Sequence, residues 1–299
     1  MPLSRMELQE RGAGSPDGLV TLILKLERKL PIPVPIEDLC KRLDIADIQP
    51  MDTEGFEGGL ITDTERSEGV ILVSTTSHYF RRRFTIAHEL GHFLIPAHMP
   101  DRPGRFLCSR EDMNLLSAKE NDRRARMEVE ANRFASLLLI PPPAFRKALG
   151  NSAPDLGTLV KLASDFKVSK QAMARVYADY HEKLVAIIGI KDSRIVWVAK
   201  NRMRFPFIQP GYGDVVPKAS LFHRGNHQSN TPSAAAECLP DHWINVTRGT
   251  RAPTIYEQIY RQRDGYALLL LELEQVADED DEDEDRDVER RWATPRFWR

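Results

Sequence analysis

The segment Phe84–Ile95, of sequence FTIAHELGHFLI, contains two histidines four positions apart, His88 and His92, with Glu89 directly after the first. Positions i and i+4 of a helix lie on one face, so both imidazoles can reach one metal ion. Zinc is the natural occupant, because catalytic zinc sites combine neutral imidazoles and a carboxylate with a water molecule. Glu89 lies where it can accept a proton from that water. The spacing therefore predicts a metallopeptidase site with Glu89 as its catalytic base.

A short motif of this kind also occurs by chance on a surface helix, where the histidines are unrelated and the glutamate forms a salt bridge. The neighbouring residues argue against that alternative. They are mostly apolar and predict a buried helix whose polar side chains need partners: Phe84, Ile86, Ala87, Leu90, Phe93 and Leu94. Gly91 costs roughly 1 kcal/mol relative to alanine inside a helix. That cost is explained if another element must approach the helix closely.

A third ligand is predicted from the segment Asn121–Leu139, whose apolar residues recur at helical spacing. Glu128 lies one helical turn before Asn132, so the two share a face. Glu128 can bind the metal while Asn132 accepts the free ring N–H of a ligating histidine. Glu130 points to another side of the helix, toward solvent or an arginine. The alternative for both glutamates is a charged helix face beside neighbouring arginines.

The sequence RFTIAHELGHFL followed by ExEANRFASLLLIP resembles the ImmA/IrrE family of bacterial and phage metallopeptidases. The resemblance covers residues 20–145, about half the chain. It implies that His88, His92 and Glu128 hold one zinc ion per chain and that Glu89 is the general base. It also implies a regulatory endopeptidase whose protein substrate is a helix-turn-helix transcriptional repressor.

Composition limits the other classes of function. The chain has 299 residues, enough for two domains, and its net charge of −2 provides no overall basic field for nucleic acid. Cys40, Cys108 and Cys238 are widely spaced and predict reduced thiols, with no pair spaced for a structural zinc site. No secretory signal and no apolar run of membrane-spanning length is evident. We therefore expect a cytoplasmic protein.

The predicted fold is α+β, with a zincin-like metallopeptidase domain over residues 17–150. A disordered N-terminus over residues 1–16 precedes it. A helical hairpin that resembles a helix-turn-helix follows over residues 151–182. A smaller β-rich domain is expected over residues 183–276, and a disordered acidic tail over residues 277–299.

Two features leave alternatives open. In the helical hairpin, Lys170, Gln171 and Arg175 could touch DNA, although a single weakly basic helix pair favours a support for the peptidase domain. Glu57–Ile61 and Val70–Ser74 predict a β-hairpin that either packs on the motif helix or borders a cleft, where an extended substrate would pair with it. The rival functions are a DNA-binding regulator with a structural zinc site and a toxin-like protein that acts by binding.

Overall fold

The computed structural model describes residues 4–11, 14–53, 55–99, 104–109, 111–115, 118–119, 121–201, 203–225, 227–246 and 252–274. The chain divides into two compact units. The first comprises residues 1–153 and 157–180, and the second comprises residues 154–156 and 181–299. Both contain a β-sheet, and the fold is α+β as predicted.

The sheet of the first unit has four strands in the order β1-β3-β2-β4. Their bounds are β1 Ile45–Met51, β2 Phe56–Thr62, β3 Gly69–Ser74 and β4 Arg105–Ser109. Strand β1 runs parallel to β3, whereas β2 runs antiparallel to both β3 and β4. The predicted hairpin is thus β2 and β3, but both strands are interior. Strand β4 forms one outer edge of this sheet.

The helices described in the chain are α1 Arg5–Glu10, α2 Pro16–Leu26, α3 Ile36–Arg42, α4 Tyr79–Leu94, α5 Arg123–Leu139, α6 Pro142–Leu149, α7 Leu156–Asp165 and α8 Lys170–Tyr180. Helix α4 carries the histidine motif and packs against α5 and against strands β2 and β3. The Asp122 side chain caps α5 by accepting the N–H of Ala125. Helix α4 therefore contacts both the sheet and α5.

Helix α4 is buried along its second half, as its apolar composition predicts. Leu90 and Phe93 are fully buried. At Gly91 an added Cβ would lie 3.1 Å from Cδ1 of Phe134 and 3.4 Å from Cα of Ala131, both on α5. The glycine therefore permits the close approach of a second helix. Arg66 donates to the carbonyl of Ile95 at 3.1 Å and stabilises the end of α4.

The N-terminal segment differs from the sequence prediction of disorder over residues 1–16. Residues Arg5–Glu10 form helix α1, and Leu8 is fully buried. The backbone N–H of Arg5 donates to Asp44 at 2.9 Å, and its guanidinium donates to the carbonyls of Glu65 and Arg66 at 3.1 and 2.6 Å. This helix is fixed by contacts with residues distant in sequence, which local composition does not reveal.

Three other elements of the first unit were not predicted. Strand β1 is mostly exposed, so it lacks the apolar alternation that indicates a strand. Strand β4 falls within the segment 96–121, which was expected to be irregular, and its five residues are too few for a clear pattern. Helix α6 begins at Pro142. The prolines there were interpreted only as the end of α5, although proline also fits a first helical turn.

The second unit contains a five-stranded antiparallel sheet in the order β6-β5-β9-β8-β7. Its strands are β5 Leu184–Lys191, β6 Arg194–Lys200, β7 Ala236–Cys238, β8 Thr254–Arg261 and β9 Tyr266–Glu274. The predicted strands Leu184–Ile190, Arg194–Ala199, Thr254–Tyr260 and Tyr266–Glu274 are confirmed. Of the expected strand 244–247, Ile244 forms an isolated bridge with Ile208 and Thr247 is outside the described residues.

The acidic tail predicted over residues 277–299 lies outside the described part of the chain. Within the described residues, none of the helices is long and apolar enough to cross a membrane.

Candidate metal centre

The two motif histidines point their Nε2 atoms at one place. Both side chains are fully buried on α4, and the two Nε2 atoms are 3.0 Å apart. Helix α5 brings Glu128 to the same place, with its Oε2 atom 3.1 Å from Nε2 of His88 and 3.4 Å from Nε2 of His92. The structure thus brings together the three residues that the sequence predicts as metal ligands.

Asn132 fixes the proton position of His88. Its amide nitrogen donates to the carbonyls of Asp112 and Leu115 at 3.2 and 3.0 Å. The amide oxygen therefore faces Nδ1 of His88, at 2.9 Å. An amide oxygen only accepts, so Nδ1 of His88 carries a proton, and in the neutral ring the lone pair is then on Nε2. This is the contact that the sequence predicts for Asn132.

His92 is oriented by a chain that ends at Glu130. The Glu130 carboxylate accepts from Nε2 of His98 at 3.0 Å, which leaves Nδ1 of His98 as an acceptor. Nδ1 of His92 lies 3.0 Å from that acceptor and therefore donates to it. Burial lowers the pKa of His98 and lowers the pKa of His92 to about 4, so both rings are neutral near pH 7. Nε2 of His92 then also carries a lone pair.

Glu130 was expected to face solvent or an arginine. Its side chain is 46% exposed, but its hydrogen-bond partner is His98. His98 follows the end of α4 and returns to the side of α5 that carries Glu130. The sequence does not predict this contact, because helical spacing gives the direction of Glu130 but not the path of the chain after α4.

The convergence of donor atoms fits a metal ion. Two imidazole lone pairs and a carboxylate facing one another at 3.0–3.4 Å repel unless a cation lies among them. In a tetrahedral zinc site with bonds of about 2.0–2.3 Å, ligand atoms are separated by about 3.3–3.8 Å. The group is therefore suited to bind a cation.

Cys108 is a further member of this group and was missed at the sequence level. The ligand atoms of His88, His92, Cys108 and Glu128 all lie within 4.8 Å of one another, and all four residues are buried. Cys108 lies on β4, where Phe106 and Cys108 alternate inward and Phe106 stacks on the ring of His92. The alternation of Phe106 and Cys108 could have indicated a strand with both side chains on one face. Two residues are too few to identify a strand.

Glu89 lies beside the group, and the thiol of Cys108 is one of its neighbours. It is fully buried, and among the described residues neither of its carboxyl oxygens has a hydrogen bond. Burial, followed by the charge of Glu128, raises its pKa. Strand β2 passes close by: a Cβ on Gly58 would lie 2.8 Å from Oε1 of Glu89. A buried carboxyl without a partner is costly, which suggests that a polar ligand such as water completes the site.

We expect loss of the Glu130 carboxyl to weaken metal binding by His92. Partners of ligating histidines typically contribute 10–100-fold to metal affinity, and the partial exposure of Glu130 indicates the lower end, on the order of 10-fold. The Glu130→Ala variant should show this loss in a zinc competition assay with a chelator. Glu130→Gln, which keeps an acceptor for His98, should recover most of it.

Arg133→Gln is a suitable control, because Arg133 lies on the same helix as Glu130 but pairs with Asp17 of α2 instead of with a histidine. If Glu130→Ala and Arg133→Gln bind zinc equally well, the chain from Glu130 to His92 has no role in metal binding.

Comparison with known proteins identifies the first unit. Residues 40–176 match the family model of the IrrE N-terminal-like domain, a peptidase family. This match includes every residue of the candidate metal centre, confirms the resemblance to the ImmA/IrrE family and identifies the domain as zincin-like. A solved Mycobacterium tuberculosis transcriptional regulator is similar at 14% identity and a TM-score of 0.44, over 90% of this chain and 74% of that chain. No curated protein matches the chain.

Proposed function

We propose, on the premise that residues 40–176 form an IrrE N-terminal-like domain, that this protein is a zinc-dependent endopeptidase of narrow specificity. The observation that carries the proposal is the set of lone pairs from His88, His92 and Glu128 aimed at one point beside the buried carboxyl of Glu89. The proposed substrate is a partner protein such as a helix-turn-helix transcriptional repressor. That class follows from the family resemblance alone.

Different residues of the chain bind the metal and transfer the proton during peptide hydrolysis. Zinc, when bound, supplies the Lewis acidity that activates water and polarises a peptide carbonyl. His88 and His92 are held in the required tautomers by Asn132 and His98. Glu89 accepts a proton from the attacking water and then donates it to the leaving amine.

Strand β4 is the element we propose for substrate binding. Strand β2 lies between β3 and β4, so the hairpin considered in the sequence has no free edge for a substrate. The outer edge of β4 has no neighbour among the described strands, and an extended peptide could pair with it. Beside β4, residues that include Leu107, Met127 and Glu128 line a cavity of about 260 Å³. A peptide on this edge would pass close to the metal centre.

The DNA-binding alternative receives little support from α8. Gln171 and Arg175, which were considered as DNA contacts, are half-buried and line a cavity together with Phe80 and Phe84 of α4. This arrangement favours the alternative in which the hairpin α7–α8 supports the peptidase domain. A protein substrate is accordingly the partner that we propose, rather than DNA.

The test uses no assumption about the substrate. Cells that express the wild-type protein are compared with cells that express Glu89→Gln, and new protein N-termini are identified by mass spectrometry. We expect one or a few N-termini that depend on Glu89, because a regulatory peptidase cuts few sites. Identical sets of N-termini, under growth and stress conditions alike, would contradict the proposed function.

A further inference from the structure

We infer that Cys108 is a fourth protein ligand of the metal and closes the site in the resting protein, an inference that rests on the proposed zinc centre. The Sγ atom of Cys108 lies 3.7 Å from Nε2 of His92 and 4.0 Å from Oε1 of Glu128. Cys108 is buried, and its thiol points inward from β4 toward the point where the other three ligand atoms converge. Its position and chemistry both fit coordination.

The separation of Cys108 from His92 fits a tetrahedral site, and the ligand atoms that lie further apart, by up to 4.8 Å, would draw closer as the metal binds. With a zinc–sulfur bond of about 2.3 Å and zinc–nitrogen bonds of about 2.0 Å, sulfur and nitrogen ligands lie about 3.5 Å apart. The distance from Cys108 to His92 is within a few tenths of an ångström of that value. When the metal binds, the thiol releases its proton to solvent and the sulfur forms the fourth bond.

The surroundings of Cys108 are unusual for a cysteine that only fills space. Cys40 and Cys238 are also free and buried, but neither belongs to a group of possible ligands among the described residues. Cys108 instead lies against the imidazole of His92 and the carboxyl of Glu128. Opposite it in the sheet stands Gly58, whose missing side chain leaves room beside Glu89. The pocket that holds the thiol is therefore polar and shared with the proposed catalytic base.

Four protein ligands have a functional consequence. Structural zinc sites are closed by four protein ligands, whereas catalytic sites keep one position for water. A bound Cys108 would therefore leave the enzyme latent until the sulfur moves away. Strand β4 carries Cys108 and is also the edge on which we propose that the substrate binds. Substrate pairing and release of the thiolate would then occur on the same strand.

The test replaces zinc with cobalt(II) in the full-length protein. A thiolate bound to cobalt gives an intense near-ultraviolet charge-transfer absorption that imidazole and carboxylate ligands do not give. We expect this absorption in the wild type and its loss in Cys108→Ser, with cobalt still bound. Zinc affinity of Cys108→Ser should fall on the order of 10–100-fold, at least as much as for loss of a histidine's partner. Peptide hydrolysis at saturating zinc should increase, because loss of the sulfur opens the fourth position to water.

One control variant assigns the absorption to Cys108. The double variant Cys40→Ser with Cys238→Ser leaves Cys108 as the sole cysteine of the sequence and should keep the full absorption. That variant decides the inference even if Cys108→Ser fails to fold. Cobalt bound without the absorption in the wild type, or the absorption unchanged in Cys108→Ser, would overturn this inference and leave the proposed peptidase intact. Failure of the wild type to bind cobalt or zinc would overturn both.

Discussion

Glu89→Gln should abolish peptide hydrolysis while the protein keeps its metal. General base catalysis typically contributes 10²–10⁴-fold, so we expect the rate of cleavage to fall by at least that order. The amide has nearly the same shape as the carboxyl, so the change keeps the packing around position 89 and an oxygen beside the Cys108 thiol. The measurements are the cleavage rate of an identified substrate and the zinc content of both proteins.

Glu89→Asp provides a matched comparison, since it keeps the carboxyl but withdraws it by one methylene. It should retain more activity than Glu89→Gln if proton transfer is the role of this residue. Cleavage by Glu89→Gln at the wild-type rate would exclude Glu89 as the base. Loss of zinc from Glu89→Gln would instead mean that the carboxyl supports the metal and not the reaction.

Zinc should stabilise the wild-type protein strongly and should not stabilise His92→Ala. A ligand that binds only the folded state at about 1,000 times its dissociation constant adds about 4 kcal/mol to the free energy of unfolding. For a unit of this size that corresponds to a rise of roughly 10 °C in the melting temperature. His92 contributes one of three or four ligand atoms, so its loss should remove most of the binding. The measurement is thermal unfolding with and without zinc.

The exposed His78 offers a control at the start of the same helix. It lies directly before α4, and its side chain does not cap the helix. His78→Ala should therefore show the full rise in melting temperature with zinc. An equal rise in His92→Ala and His78→Ala would place the zinc somewhere other than the proposed centre.

The sequence predicted best where a single helix determines the geometry. Ser77–Ile95 was expected to be the motif helix, and α4 spans Tyr79–Leu94. Spacing on α5 favoured Glu128 over Glu130, and the structure places Oε2 of Glu128 3.1 Å from His88. Helical periodicity relates residues on one helix directly, and apolar surroundings indicate which face is buried.

Prediction failed where contacts depend on the path of the chain between elements. Cys108 reaches the centre from β4, and His98 reaches it from the segment after α4. Neither has a fixed spacing to His88 or His92 that chemistry requires. Helix α1 is fixed by Asp44 and by carbonyls near Arg66, which are distant in sequence. Long-range pairing of this kind becomes visible only when the fold is known.

The contact at Gly91 has a consequence for which ions the protein accepts. The histidines lie on α4 and Glu128 lies on α5, so the separation of the two helices sets the distance between the histidine nitrogens and the Glu128 carboxylate. Gly91 permits the present separation, because an added Cβ would lie 3.1 Å from Cδ1 of Phe134 on α5. The packing of α4 against α5 thus limits the radius of the ion that the site can bind. Any larger side chain at position 91 would favour ions with longer bonds and disfavour small ones.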